Sequence, residues 1–282
     1  GGTWCIVDIV SEEMIAYGMT PDSFNLDAAI AEFDRLQEQG PVVQMVEPEN
    51  QTDGAAEPAA LNDAVNTYRY YNRDNATAYA YTYTTDSYTG SSGNNTNFTN
   101  DNFSYYSDGN CQNFASQCIW AGLGGSDTSD IDSLKFPMDT SGNNQWYCNG
   151  QWQANVYWTN TQWFYDYVSE SSKEKVGTRM SASTYILPAG QSFAGISNAT
   201  TRLSGAVLHV YGNETDYGHA IVVTGITGTG FGNITFCGNS PMRKAAKLSD
   251  YSQFTSHAIR VIIPYAMIRS RVCSSSGHTY AS

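Results

Sequence analysis

The chain has 282 residues, of which 41% are hydrophobic and 13% aromatic. This length and composition can bury a sizeable core, so the sequence predicts a globular protein with one medium-sized domain and additions. The formal net charge of −13 would repel nucleic acid and acidic lipid surfaces, which excludes nucleic acid as a substrate. No run of about 18 apolar residues is present, so no membrane span is predicted. Lys and Arg are few beside abundant Tyr, Asn, Thr, Ser and Gly, a composition that resembles secreted proteins.

Residues 1–60 are predicted to form an N-terminal helical segment and a linker. Apolar residues recur on one helical face between residues 25 and 37, with Asn25 as a cap, and residues 46–57 have no periodicity. A boundary near residue 60 follows. The helix is expected to pack on its own domain, with partner binding or inhibition as the alternative.

The main domain is predicted to span residues 61–270, followed by a polar tail at 271–282. Residues 61–85 are interpreted as a long helix with a tyrosine-rich buried side, although the Tyr/Thr alternation at its end is also strand-like. Residues 86–110 are rich in Ser, Thr, Asn and Gly and are interpreted as a long loop.

A helix is predicted to begin at Cys111. The preceding residues 107–110 favour a turn and a cap, and Gly124 and Gly125 offer a left-handed stop. Phe114 and Cys118 begin an apolar face that can pack on a core while the helix start points outward. A thiol in the first turn is suitably placed to act as a nucleophile.

The helix dipole alone cannot activate that thiol. A helix N-terminus stabilises a nearby anion by about 0.3–1 kcal/mol, which is less than one pKa unit, so a nucleophilic Cys111 also needs a neighbouring histidine or other cation. The alternative is that Cys111 is simply a buried small hydrophobe. The six cysteines show no paired metal spacing, and no structural zinc is predicted. If Cys111 stays reduced, at most two disulfides can form, and no pairing is predicted.

Aromatic residues are frequent between positions 124 and 158, Trp146 and Trp158 among them. They either line a groove for a peptide or glycan or fill the core of the domain. Trp146 is taken as a candidate substrate-binding residue. Residues 159–168 predict a short capped helix.

The last third of the chain predicts an antiparallel sheet. Short β-branched runs at residues 205–211, 220–224, 233–237 and 258–263 are separated by glycine-rich turns. Helices followed by strands indicate an α+β fold, with the helix of Cys111 laid against the sheet.

Four histidines are candidates for the partner of Cys111. His278 lies in the tail and His209 inside a strand, whereas His219 and His257 each open an apolar strand. If strands 220–224 and 233–237 form a hairpin, Asn239 returns beside His219 and can orient its imidazole. Asp216 and Asn213 remain alternatives for that orienting role.

Three stretches together resemble the putative amidase domain family, found mainly in Gram-positive bacteria. They are Tyr71-Asn72-Arg73, Asn110-Cys111-Gln112-Asn113-Phe114-Ala115-Ser116-Gln117-Cys118 and Gly218-His219-Ala220-Ile221-Val222-Val223-Thr224. The resemblance covers roughly residues 66–265. It implies a papain-like cysteine hydrolase fold related to the NlpC/P60 and CHAP cell-wall enzymes. Cys111 is then the nucleophile, His219 the base and Asn239 the third polar residue.

Two positions depart from the family pattern. Asn110 stands where aspartate usually precedes the cysteine, and Ala206 stands where aspartate usually follows the glycine before the first sheet strand. Both departures leave the nucleophile and base in place, and they leave room for altered substrate choice or weakened catalysis.

The sequence thus predicts a secreted bacterial cysteine hydrolase that cleaves an amide bond through an acyl-enzyme on Cys111. Backbone N–H groups at the helix start would stabilise the oxyanion, with Gln112 or Tyr105 as side-chain candidates. No metal or other cofactor is implied. The expected substrate is a peptidoglycan fragment, and the alternatives are a protein or peptide substrate or a non-catalytic module that binds glycan or peptide. No oligomeric state is predicted.

Overall fold

The computed structural model describes residues 64–85, 100–106, 109–125, 137–139, 145–149, 153–171, 177–210 and 218–272. The helices are α1 (Arg73–Thr82), α2 (Cys111–Gly122), α3 (Val156–Thr159), α4 (Thr161–Ser171), α5 (Ala199–Arg202) and α6 (Gln253–Ser256). The strands are β1 (Ala64–Tyr70), β2 (Gly177–Leu187), β3 (Val207–Val210), β4 (His219–Ile226), β5 (Ile234–Gly238), β6 (Arg243–Lys247) and β7 (Ile259–Val272). The predicted N-terminal helix, the linker, His278, Asp216 and Asn213 lie outside the described residues.

The strands form one antiparallel sheet, in which the spatial order differs from the order along the chain. The order is β1-β7-β3-β4-β5-β6, and β2 pairs with β7 as well. The four strand regions expected from the sequence correspond to β3, β4, β5 and the first part of β7. The predicted hairpin is also present, since β4 and β5 pair antiparallel with Val222 opposite Cys237. The fold is therefore mixed α and β with an antiparallel sheet, as expected.

The two faces of the sheet carry separate cores, because successive side chains in a strand point to opposite faces. Ala220 and Val222 of β4 belong to the core that contains α2. Ile221 and Val223 of the same strand belong to a second core, together with residues of the segment 187–203. The helix of Cys111 thus covers one face of the central strands.

The prediction of one long helix over residues 61–85 was wrong. Residues 64–70 form β1, which pairs with β7 and places Tyr70 opposite Ala266. The helix begins only at Arg73, because Asn72 caps it by accepting a hydrogen bond from the Asn75 N–H at 2.9 Å. The Tyr/Thr alternation at the end of this stretch, which could also have been a strand, lies in the last turn of α1 and just after it, so the strand is before the helix and not at its end.

The prediction for α2 was right in its bounds and wrong in its exposure. The helix runs from Cys111 to Gly122, and Gly124 with φ of 91° provides the left-handed stop. All twelve residues of the helix are buried, because α1, α3 and β4 pack around it. The helix start therefore does not point outward as predicted, and α2 is a central helix of the domain.

Candidate active site

The thiol of Cys111 lies at the first residue of α2, against the start of β4. Its Sγ donates to the backbone carbonyl of Gly218 at 3.8 Å, and the backbone N–H of Ala220 faces the same sulfur. The side chain is 6% exposed. The sulfur therefore contacts the main chain on both sides of His219.

The environment of Cys111 favours the neutral thiol. Burial raises the pKa of this thiol, and hydrogen bonds from the backbone N–H groups of Ala220, Gln112 and Cys111 itself only partly oppose the increase. A neutral thiol fits the Gly218 contact, since only the protonated sulfur can donate to a carbonyl. The same N–H groups are positioned to stabilise the thiolate when it forms.

His219 is the first residue of β4, as the sequence predicted, and is partly buried. Burial lowers the pKa of its imidazole from 6.5 to about 4, and the positive charge of Arg243 contributes to the decrease. At neutral pH the ring is therefore uncharged and can accept a proton.

Asn239 follows β5 and is 1% exposed. The antiparallel register of β4 and β5 brings it back beside the start of β4. Its Oδ1 is buried and has no hydrogen-bond partner among the residues that the structure describes. It lines a small cavity with Tyr105 and Asn110, next to the start of α2.

The turn after β5 is tied to the start of α2. The backbone N–H of Asn110 donates to Ser240 Oγ at 3.2 Å. Tyr105 is near the same serine, and burial raises the pKa of its phenol while Ser240 partly opposes this. Tyr105 is therefore protonated at neutral pH and can donate a hydrogen bond.

Gln112 and Trp146, the other two predicted contacts, lie inside the core, and both are 0% exposed. The Oε1 of Gln112 is 2.8 Å from Nε2 of His209, and its Nε2 donates to Ser116 Oγ at 3.1 Å. Trp146 stacks on Trp158 with ring centroids 4.6 Å apart. Of the two alternatives for these tryptophans, the structure shows core packing.

His209 is the residue near this site that sequence reasoning passed over. Its position inside a strand was predicted, but no contact with the helix of Cys111 was. Its partner Gln112 is 97 residues away along the chain, and a strand pattern contains no signal for such a contact.

The cysteines of the described residues are all thiols: Cys111, Cys118, Cys148 and Cys237 are free and buried. Cys5 and Cys273 lie outside the described residues. In the same part of the chain, no three His, Cys, Asp or Glu side chains are grouped as metal ligands. No helix there is both long and apolar enough to cross a membrane.

A thiol at a helix start, facing backbone N–H groups at the beginning of the strand that His219 opens, is an arrangement suited to acyl transfer. Residues 70–258 match the family model described as "Putative amidase domain", and the chain belongs to this family. Membership indicates a hydrolase that acts on amide bonds. Comparisons with curated proteins and with solved structures each gave no match.

Changing Asn110 to aspartate is expected to raise the pKa of the Cys111 thiol. Asn110 is 3% exposed and directly precedes the cysteine, so a buried carboxylate there disfavours a thiolate next to it. We expect the pH midpoint of Cys111 alkylation by iodoacetamide to increase by about one unit. Asn72→Asp is the matched control, because Asn72 contacts the other end of α2 through Gly122. Equal midpoints in Asn110→Asp and wild type would contradict the expectation.

Proposed function

We propose that the protein is a secreted bacterial cysteine amidase of papain-like type, related to the NlpC/P60 and CHAP enzymes. The observation that carries the proposal is the position of Cys111 Sγ, 3.8 Å from the Gly218 carbonyl at the start of the strand that His219 opens. The family membership supplies the reaction class, and the thiol supplies a nucleophile for it.

In the proposed reaction, the sulfur of Cys111 attacks the carbonyl carbon of the substrate amide. Since the thiol pKa is raised and the imidazole pKa lowered, the resting pair is neutral, and His219 takes the thiol proton as the attack proceeds. His219 then gives this proton to the leaving amine, which leaves an acyl thioester on Cys111. A water molecule, deprotonated by His219, then attacks the thioester carbonyl carbon. The carbon–sulfur bond breaks, the carboxylic acid product leaves and ionises in solution, and the proton on His219 returns to the Cys111 sulfur.

The first turn of α2 is the proposed oxyanion site. The N–H groups at a helix start have no partner within the helix and can donate to a developing negative charge. In this proposal the backbone N–H of Cys111 is the principal donor, and Tyr105 is the side-chain candidate. Asn239 orients the imidazole of His219 once the substrate is bound.

The proposed substrate is a peptidoglycan fragment, cleaved in the stem peptide or at the sugar–peptide amide. A cysteine endopeptidase acting on proteins or peptides is the alternative within the same chemistry. A non-catalytic module that binds glycan or peptide is favoured by one observation, the 6% exposure of Cys111. These possibilities differ in the products that the purified protein forms from peptidoglycan fragments and from peptides.

The test is to incubate the protein with soluble peptidoglycan fragments and, separately, with a peptide library, and to identify products by mass spectrometry. One portion of protein is first alkylated with iodoacetamide, and modification of Cys111 is quantified by peptide mapping. We expect new amine and carboxylate pairs from the peptidoglycan fragments, lost in proportion to Cys111 alkylation. Cleavage of the library alone would identify an endopeptidase. Product formation that is insensitive to Cys111 alkylation would refute the cysteine mechanism, and binding without products would indicate the module.

A further inference from the structure

A chain of buried hydrogen bonds joins α2 to β3 directly behind Cys111. His209 Nε2 lies 2.8 Å from Gln112 Oε1, Gln112 Nε2 donates to Ser116 Oγ at 3.1 Å, and Ser116 Oγ donates to the Trp158 carbonyl at 2.8 Å. His209, Gln112 and Ser116 are all 0% exposed. We call His209, Gln112 and Ser116 the buried relay.

The direction of each hydrogen bond in the buried relay is determined. Because Ser116 uses its proton on the Trp158 carbonyl, its oxygen accepts from Gln112, and Trp146 Nε1 donates to the same oxygen at 3.3 Å. The amide nitrogen of Gln112 therefore faces Ser116 and its carbonyl faces His209. It follows that Nε2 of His209 carries a proton. Because burial lowers the pKa of this imidazole to about 3, the ring is the neutral Nε2-protonated tautomer at neutral pH.

The other ring nitrogen of His209, Nδ1, carries no proton in this tautomer. Its Nδ1 is buried and has no hydrogen-bond partner among the residues that the structure describes. A leucine at this position would avoid the desolvation of both ring nitrogens, so the histidine is a costly way to fill the core. A buried polar residue that lowers stability is expected where its hydrogen bond fixes the position of a neighbouring group.

The geometry in question is the position of the Cys111 sulfur. In the register of β3 and β4, His209 lies opposite Ala220, whose backbone N–H faces that sulfur. Gln112 follows Cys111 in α2. The hydrogen bond between His209 and Gln112 therefore connects the first turn of the helix to the strand beside the residues that Cys111 contacts.

We propose that His209 is a positioning residue, which holds the first turn of α2 through Gln112 and so fixes Cys111 Sγ against residues 218–220. This inference rests on the proposed function for its consequence in catalysis. The displacement that matters is small, since a shift of about 1 Å in a reacting group can cost roughly 100-fold in rate.

The test compares two substitutions at His209. His209→Leu removes the donor, whereas His209→Gln retains an N–H that can reach Gln112. We expect His209→Leu to lower kcat for amide hydrolysis roughly 10- to 100-fold with KM changed by less than about 2-fold, and His209→Gln to recover most of the loss. The rate of Cys111 alkylation, measured without substrate, is also expected to be lower in His209→Leu than in His209→Gln.

A matched pair of glutamines in α2 separates positioning from stability. Gln117, like Gln112, is buried and accepts one side-chain hydrogen bond, from the Tyr79 hydroxyl at 2.8 Å. Gln112→Met is expected to lower kcat and the alkylation rate like His209→Leu, while Gln117→Met lowers Tm with both rates within about 3-fold of wild type.

Each outcome decides one of the two proposals. If Gln117→Met lowers both rates as much as Gln112→Met does, or if His209→Leu leaves both unchanged, the positioning role is wrong. If His209→Leu fails to fold, His209→Gln decides the question alone. A kcat and an alkylation rate of His209→Gln as low as those expected of His209→Leu would contradict the positioning role. If the wild type hydrolyses no amide, the proposed function fails, while the alkylation rates still decide the position of Cys111.

Discussion

Replacing Cys111 with serine is expected to reduce amide hydrolysis at least about 10³-fold. A hydroxyl fits the space of the thiol and can donate to the same Gly218 carbonyl, so the site should keep its shape. A serine hydroxyl, however, is a far weaker nucleophile than a thiol when its base is a neutral imidazole whose pKa is lowered to about 4. Steady-state kcat/KM on the cleaved fragment, with Tm measured alongside, checks the expectation.

Cys118→Ser is the control for this substitution. Cys118 lies two turns further along α2, is 0% exposed, and its pKa is raised by burial. The same chemical change there is expected to lower Tm and to leave kcat/KM within about 3-fold. A Cys111→Ser variant as active as Cys118→Ser would exclude Cys111 as the nucleophile.

Local patterns in the sequence were enough to predict the elements that carry the site. The bounds of α2 follow from turn residues before Cys111 and from Gly124 after it, both of which act within a few residues. The hairpin of β4 and β5 follows from two β-branched runs separated by glycines, and its register, with Val222 opposite Cys237, directs Asn239 toward the start of β4. The assignment of Cys111, His219 and Asn239 to catalysis stays a prediction.

What the sequence could not predict depends on tertiary contacts. The partner of β1 is β7, about 200 residues later, and without that pairing the tyrosines before Arg73 read as helix. α2 is buried on all sides because α1, α3 and β4 pack around it. The periodicity of the residues within the helix does not predict these contacts. For the same reason Gln112 looked like a site residue, although its amide is held by His209 and Ser116 inside the protein.

Two histidines with lowered pKa values also link this site to the stability of the fold. His209, in contact with Gln112 and Phe164, has its pKa lowered to about 3 by burial, with the charges of Arg260 and His219 contributing. His219 has its pKa lowered to about 4 by burial and by Arg243. In the unfolded chain both would titrate near 6.5. Below that pH the unfolded state binds protons that the folded state does not, so acid favours unfolding.

We therefore expect the free energy of unfolding to fall as the pH is lowered from 7 to 4. For His209 alone, the difference between a pKa of about 3 and one of 6.5 corresponds to roughly 3 kcal/mol lost by pH 4. Urea unfolding of wild type and His209→Gln at pH 7, 5.5 and 4 measures this contribution, because the carboxylates titrate alike in both proteins. The wild type should lose about 3 kcal/mol more than the variant over this range. Parallel pH profiles would mean that His209 is protonated in the folded protein, which would also remove the neutral tautomer on which the buried relay depends.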